Sequence, residues 1–266
     1  MAKVMGVVNL TPDSFSDGGR FLAPDAALVQ ARRLIAQGAD ILDLGAESTR
    51  PGAAPVPAED EIARLVPLIA EIRAQSAVAI SVDTMKPAVA RAAVAAGAEI
   101  WNDVTALGFS DDAPAVAAEL GCGVVLMHMQ GEPRTMQADP RYGDVVGEVA
   151  EFLSARAEAA MAAGVAREKI WLDPGVGFGK TLAHNLTLLA HMDAIVALGF
   201  PVLLGVSRKR FIAALDPVAE PADARLPGSL AAALAGVQAG VAALRVHDVA
   251  ETVQALKVWD AISRAR

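Results

Sequence analysis

Eight short apolar runs, spread along the whole chain and separated by helical patterns, constrain this sequence more than any other feature. The runs are Val4–Leu10, Asp40–Gly45, Ala79–Asp83, Ile100–Val104, Gly123–His128, Ile170–Asp173, Val202–Val206 and Val241–Val246. They are nearly continuous in apolar character rather than alternating, the pattern of strands covered on both faces in a parallel sheet. Between them, apolar residues recur at helical spacing. Ile62, Leu65, Val66, Ile69 and Ile72 share one face, as do Leu182, Leu186, Leu189 and Met192, and Val249, Val253, Leu256 and Trp259. The segments "AQGAD", "AAGAE", "ELGCG", "ALGFP" and "QAGVA" place Gly where a helix stops before the next strand. Eight such units over 266 residues predict an α/β fold, a (β/α)8 TIM barrel, with residues 1–266 as a single domain. A doubly wound sheet would ordinarily carry GxGxxG after its first strand, and none stands there. The proline-rich stretch Asp216–Gly228 reads as a solvated excursion before the seventh helix.

Composition narrows the function classes. The chain is 54% apolar and 20% charged, enough to bury a large core. A net charge of −8 offers no basic field to nucleic acid or to an anionic membrane. Cys122 is the only cysteine, so no disulfide forms within the chain; it reads as a core residue at a strand entrance, in a reducing compartment. The opening "MAKVMGVVNL" lacks the pattern of a cleaved leader, and Arg, Glu or Asp interrupt every alanine-rich stretch. These points predict a cytoplasmic protein.

A barrel of this type presents its active site at the C-terminal ends of its strands. Polar groups stand at nearly every one. They are Asn9; Glu47 through Gly52; Asp83; Asn102 and Asp103; Met127, His128 and Met129; Asp173, Phe178 and Lys180; Ser207, Arg208 and Lys209; Arg245 and His247. Any single strand-end Asp can be a helix cap, and Asp103 and Asp248 suit that role. His128 reads as a satisfied interior residue. The full set, however, exceeds what stability requires at one rim. It also sorts by charge. Asp83, Asn102 and Asp173 form an acceptor-rich group suited to a heterocycle bearing N–H donors, with Met127 and Phe178 as flat walls. Arg50, Arg208, Lys209, Arg245 and His247 form a cationic group suited to phosphate or carboxylate. No His/Cys/Glu set has the spacing of a zinc site. After the first strand, "TPDSFSDGG" spends more polar residues than a connection needs, which points to ligand handling.

Taken together and in order, "MGVVNLTPDSFSDGGRF", "DLGAESTRPGA", "SVDT", "NDV", "MHMQGEPRTMQ", "DPGVGFGKT", "GVSRKRF" and "LRVHDV" resemble the signature segments of dihydropteroate synthases. The resemblance implies a TIM barrel, a homodimer and a target of sulfonamides. It implies condensation of 6-hydroxymethyl-7,8-dihydropterin diphosphate with p-aminobenzoate, giving 7,8-dihydropteroate and pyrophosphate in folate synthesis. By the same resemblance, Asp83, Asn102, Met127, Asp173, Phe178 and Lys209 hold the pterin. Asn9, Thr49, Arg245 and His247 hold the diphosphate, with Mg2+ on Asn9. Phe15, Arg50, Pro51, Ser207 and Lys209 meet p-aminobenzoate, and Asp17 covers the reacting centre. Asp83, Asp173, Lys209 and Asp17 are the catalytic candidates. "TPDSFSDGG" and "STRPG" resemble two mobile loops that would exclude water.

Three rivals stay open on the residues alone. A methyltransferase of the same pterin-binding barrel type would share the Asp and Asn contacts but need no diphosphate group. A non-catalytic paralogue would lack a loop or phosphate residue, and none is missing. A phosphate-sugar barrel would carry a glycine-rich phosphate site after strands seven and eight, where "SRKR" and "RVHD" stand instead.

Overall fold

Side chains alternate across a strand with a period of two, and that alternation organises the whole molecule. The structure is a computed structural model that describes residues 1–10, 23–47, 55–132 and 135–265. Its strands are β1 (Lys3–Asn9), β2 (Ile41–Gly45), β3 (Ala79–Asp83), β4 (Ile100–Asp103), β5 (Gly123–Met127), β6 (Ile170–Asp173), β7 (Leu203–Gly205) and β8 (Ala243–Val246). All neighbouring strands pair in parallel, in the order β6-β5-β4-β3-β2-β1-β8-β7. A bridge between Leu172 and Val202, with Leu172 N–H donating to Pro201 O at 2.9 Å, joins the two ends of that order. The eight-stranded sheet is therefore the predicted barrel.

The helices are α1 (Ala23–Ala36), α2 (Ala58–Gln75), α3 (Pro87–Ala95), α4 (Ala113–Leu120), α5 (Val145–Ala162), α6 (Leu182–Ala190), α7 (Met192–Val196), α8 (Arg210–Leu215), α9 (Leu226–Ala239) and α10 (Val249–Arg264). Outward-facing strand residues such as Val4, Leu42, Leu44, Ile80, Val82, Trp101, Val124 and Leu172 pack against them in one large core. Inward-facing residues at the N-terminal end form a second apolar cluster. Met5, Ile41, Val125, Leu203 and Ala243 meet there, with Ala79, Ile100 and Trp171 against them, so every strand contributes one residue. That plug closes the bottom of the barrel. Two residues further along β2, β3, β4, β6 and β8, the inward positions are Asp43, Ser81, Asn102, Asp173 and Arg245. One face of each of these five strands thus turns from apolar to polar from bottom to top. Because the outward face stays largely apolar, the runs look continuous in sequence.

Several expectations need correction. Leu10, Asp40, Val104, His128, Val202, Val206 and the pair Val241–Ala242 lie outside the regular strands. At Asp40 the cause is local: its carboxylate accepts the Val4 N–H at 2.7 Å, so the side chain occupies a group that pairing would use. The face expected from Leu182, Leu186, Leu189 and Met192 is different. Leu186 is exposed, Asn185 and Leu188 are buried, and the helix breaks at His191. Asn185 takes the inward position because its Oδ1 accepts the Gly177 N–H at 2.7 Å, pinning the loop after β6. The 216–228 stretch is not simply solvated. It holds two short 3-10 turns around Arg225, whose guanidinium is buried and donates to Ala219 O, Glu220 O and Arg208 O. The expected helix stops at Gly38, Gly97, Gly121, Gly199 and Gly240 all have positive φ. Among the described residues, no helix is long and apolar enough to cross a membrane.

Candidate active site

Strand register sets the top layer of the barrel interior. Asp83 lies beside Gly45 and Asn102, and Met127 lies beside Asp173. Gly45 packs against the Asp83 side chain: a Cβ there would stand 3.5 Å from Asp83 Cβ, in ordinary van der Waals contact. Arg245 is rooted beside Met5 and Gly205, lower in the barrel, and its long side chain reaches upward. Its Nη2 donates to Asp83 Oδ2 at 2.6 Å, and its Nε donates to Asp43 Oδ2 at 2.6 Å. Asn102 Nδ2 donates to the same Asp43 carboxylate, at 3.2 and 3.4 Å. Asp43, Asn102, Arg245 and Asp83 therefore form one chain of polar contacts across the barrel. Beside Asp43 in the β2–β3 register, the hydroxyl of Ser81 is buried, with no hydrogen-bond partner among the described residues.

The electrostatics follow from crowding charges into a dry space. Burial pushes the Asp83 carboxyl up to about 7, against the pull of Arg245 and with a further push from Asp43. Burial also raises Asp173, opposed by the Gly175 N–H, which donates to its Oδ1 at 2.7 Å, and by Lys209. Burial lowers the Lys209 ammonium to about 8, with Asp173 holding it up. For Arg245 burial acts to lower, but Asp43 and Asp83 outweigh it and the guanidinium is more basic than usual. The Lys209 ammonium sits 4.1 Å from the centre of the Phe178 ring, a cation–π contact.

At the mouth, Ser207 is buried and accepts the His247 backbone N–H at 3.1 Å, while its Oγ lies 3.1 Å from His247 Nδ1. Burial first, then Arg245 and Arg208, lower His247 to about 4, so its ring is neutral at neutral pH. Arg208 is paired within the protein. It lies at φ 59°, with its Nε donating to Asp248 Oδ2 at 2.9 Å and its Nη2 to the other carboxylate oxygen. Ser229 Oγ accepts the Arg208 N–H at 2.8 Å, and Arg225 Nη1 donates to its carbonyl at 3.0 Å. This locked turn is what places Ser207 and Lys209 on either side of it. Arg210 is exposed. The cationic group read from sequence is thus largely committed: Arg208 to Asp248, Arg245 to two carboxylates, and His247 uncharged. Asp248 accordingly pairs with Arg208 rather than capping α10 with its side chain. Asp103 accepts from Thr105 and Leu107, holding a turn in which Ala106 and Leu107 have positive φ.

The loop after β6 is built on glycine. A Cβ at Gly175 would lie 1.8 Å from His128 O, and the residue has φ 64°. Lys180 threads back beneath this loop. Its buried ammonium donates to Gly175 O and Phe178 O at 3.0 Å and lies 2.9 Å from His128 Nδ1. Burial lowers Lys180 to about 7 and His128 to about 3. The structure brings Asp83, Asn102, Asp173, Lys209, Phe178, Met127 and Arg245 to the barrel top, with Ser207 and His247 beside them. Asn9 ends β1 at the same layer, in register with Gly45. Phe15, Asp17, Thr49, Arg50 and Pro51 lie outside the described residues. Glu47, after β2, accepts the Val56 N–H at 3.3 Å and pairs with Lys86; Lys86 also pairs with buried Glu61. Reading by strand ends missed Asp43, Lys86 and Glu61. Asp43 carried a signal: a carboxylate in the middle of a buried apolar strand requires a partner.

Residues 5–247 match the family described as "Pterin binding enzyme". The dihydropteroate synthase of Neisseria meningitidis serogroup C is 50% identical over 263 residues, covering 98% of this chain and 92% of that protein. The structure of the Xanthomonas albilineans dihydropteroate synthase with 4-aminobenzoic acid is 51% identical, with a TM-score of 0.93, covering 98% of this chain and 93% of that one. The same organism's enzyme in complex with 7,8-dihydropteroate is 48% identical, with a TM-score of 0.89, covering 98% and 94%.

Proposed function

The chain belongs to the dihydropteroate synthase family, and from that premise we propose how its own residues carry the reaction. It is a transferase that joins 6-hydroxymethyl-7,8-dihydropterin diphosphate to p-aminobenzoate, giving 7,8-dihydropteroate and pyrophosphate. The observation that carries the assignment of roles is the acceptor layer of Asp83, Asn102 and Asp173 beside Lys209. A dihydropterin offers amino and ring N–H donors on one edge and a ring oxygen and nitrogen on another, the complement of that layer. Met127 and Phe178 flank the flat ring.

The bond that breaks is the C–O bond between the pterin methylene and the diphosphate. Its electron pair leaves with pyrophosphate, and the methylene is left as a cation spread into the ring. Asp83 and Asp173 are anions fixed beside that developing charge, where low dielectric strengthens their effect. The amine nitrogen of p-aminobenzoate then bonds to the methylene carbon and releases its proton. No strong side-chain base is needed, since an aniline attacks neutral. Arg245 and the imidazole edge of His247 that Ser207 does not engage meet the leaving diphosphate. Arg245 Nη1 makes no hydrogen bond among the described residues, so one edge of the guanidinium is open while the other is held.

Magnesium fits the residues present. Among the described residues no group of three or more His, Cys, Asp or Glu side chains could hold a metal ion. The Asn9 amide oxygen is a hard donor at the rim, and diphosphate and water oxygens would complete the shell in the way usual for Mg2+. When bound, the ion would neutralise charge on the leaving group. Thr49 on the diphosphate side, and Phe15, Arg50, Pro51 and Asp17 over p-aminobenzoate, complete this reading with Ser207 and Lys209. A homodimer is supported by Val258 and Ile262, which stand exposed on α10. The test is chromatographic detection of dihydropteroate: product that requires both substrates and is lost on chelation, with recovery on adding Mg2+, supports the reading. Product formed at full rate under chelation removes the metal from it.

A further inference from the structure

We propose that Asp43 is a positioning residue that sets the pocket's specificity, by fixing which face of the Asn102 amide and which edge of Arg245 meet the ligand. The inference rests on the pterin pocket assigned above. An amide is ambiguous: one side donates and the other accepts. Beside a carboxylate only the NH2 side is favourable, and Asn102 Nδ2 lies 3.2 Å from Asp43 Oδ2 and 3.4 Å from Oδ1. Asn102 is buried, and its Oδ1 accepts no hydrogen bond among the described residues. It is therefore the oxygen that is left for a ligand. With Asp83 and Asp173 on either side, the layer becomes acceptor-only, and it rejects ring edges that lack N–H donors. A flipped Asn102 would present a donor and lose that selectivity.

The same carboxylate governs Arg245. Its Oδ2 accepts from Arg245 Nε at 2.6 Å, which with the Asp83 contact fixes the plane of the guanidinium. Asp43 itself is fully buried, rooted beside Val7 and Ser81, one layer beneath Asp83. It supports both groups from below without reaching the layer that the ring would occupy.

The test is a double-mutant cycle read by steady-state kinetics. Asp43→Asn removes the bias on the amide, and Asn102→Asp sets two carboxylates face to face. The pair Asp43→Asn/Asn102→Asp restores one donor facing one carboxylate and returns an acceptor to the pocket. Each single variant is expected to raise KM for dihydropterin diphosphate by roughly tenfold or more, the loss of one hydrogen bond to a charged group. KM for p-aminobenzoate should move less than twofold, and the double variant should recover most of the loss. Additive losses in the double variant, or equal rises in both KM values, overturn the proposal. Asp83→Ala separates the two levels: if it leaves pterin KM unchanged, the pocket assignment fails first. If the variants do not fold, NMR of the wild-type protein decides. The Asn102 side-chain NH2 should exchange slowly with solvent and stay so when 7,8-dihydropteroate is added. Release of those protons to solvent or to the ligand contradicts the proposal.

Discussion

At the scale of single residues, the site is a set of charges held off their usual values by burial. Asp83 reaches about 7 and Lys209 falls to about 8. The acceptor function of Asp83 needs its carboxylate, which is populated above about 7, and Lys209 is an ammonium only below about 8. The logarithm of kcat/KM for dihydropterin diphosphate should therefore rise to a narrow maximum between those values and fall on both sides. Lys209→Arg keeps its charge at high pH, so the alkaline limb should vanish while overall activity drops. A flat profile from pH 6 to 9 in the wild type would separate these groups from catalysis. The residues that sequence reading found stand at strand ends, where a polar side chain after an apolar run is conspicuous. Asp43 escaped because it sits inside "ILDLG", with apolar neighbours on both sides. Only the two-residue alternation, with the register of the finished barrel, turns it inward.

At the scale of elements, side chains are held by the turns beneath them. The Arg208 turn adopts φ 59°, tied by Ser229, Arg225 and Asp248. A left-handed backbone costs a non-glycine residue about 1 kcal/mol that glycine does not incur. Arg208→Gly should thus retain more kcat/KM than Arg208→Ala, although both lose the ion pair; equal losses in the two variants would show that the ion pair alone matters. Lys86 closes a buried group with Glu47 and Glu61. Burial pushes the Glu61 carboxyl up although Lys86 pulls it down. Lys86→Met leaves Glu61 without its cation and should lower stability by about 3 kcal/mol in urea unfolding. Adding Glu61→Leu should return much of it, and no recovery would place the cost elsewhere. Neither turn was legible in sequence. Arg225 and Ser229 lie in or just after a proline-rich stretch that reads as loop, and nothing local reveals that Arg225 turns back to the carbonyl of Arg208.

For the whole molecule, the barrel was the most legible feature, because eight strand-and-helix units and five glycine stops repeat the same local logic. Legibility failed where a helix gives up regularity for the site, as α6 does by turning Asn185 inward to hold Gly177. The exposed apolar residues of α10 bear on assembly. Sedimentation should give twice the chain mass, and Val258→Lys/Ile262→Lys should shift it to monomer; a wild-type monomer would remove the dimer from the reading. The most direct test of the account is pyrophosphate release, measured with dihydropterin diphosphate and Mg2+ in the presence and absence of p-aminobenzoate. Release should depend on both substrates in the wild type and collapse in Asp83→Ala and Arg245→Ala while both variants stay folded. Release that persists in those variants would contradict the assignment of the acceptor layer and its arginine to the reacting centre.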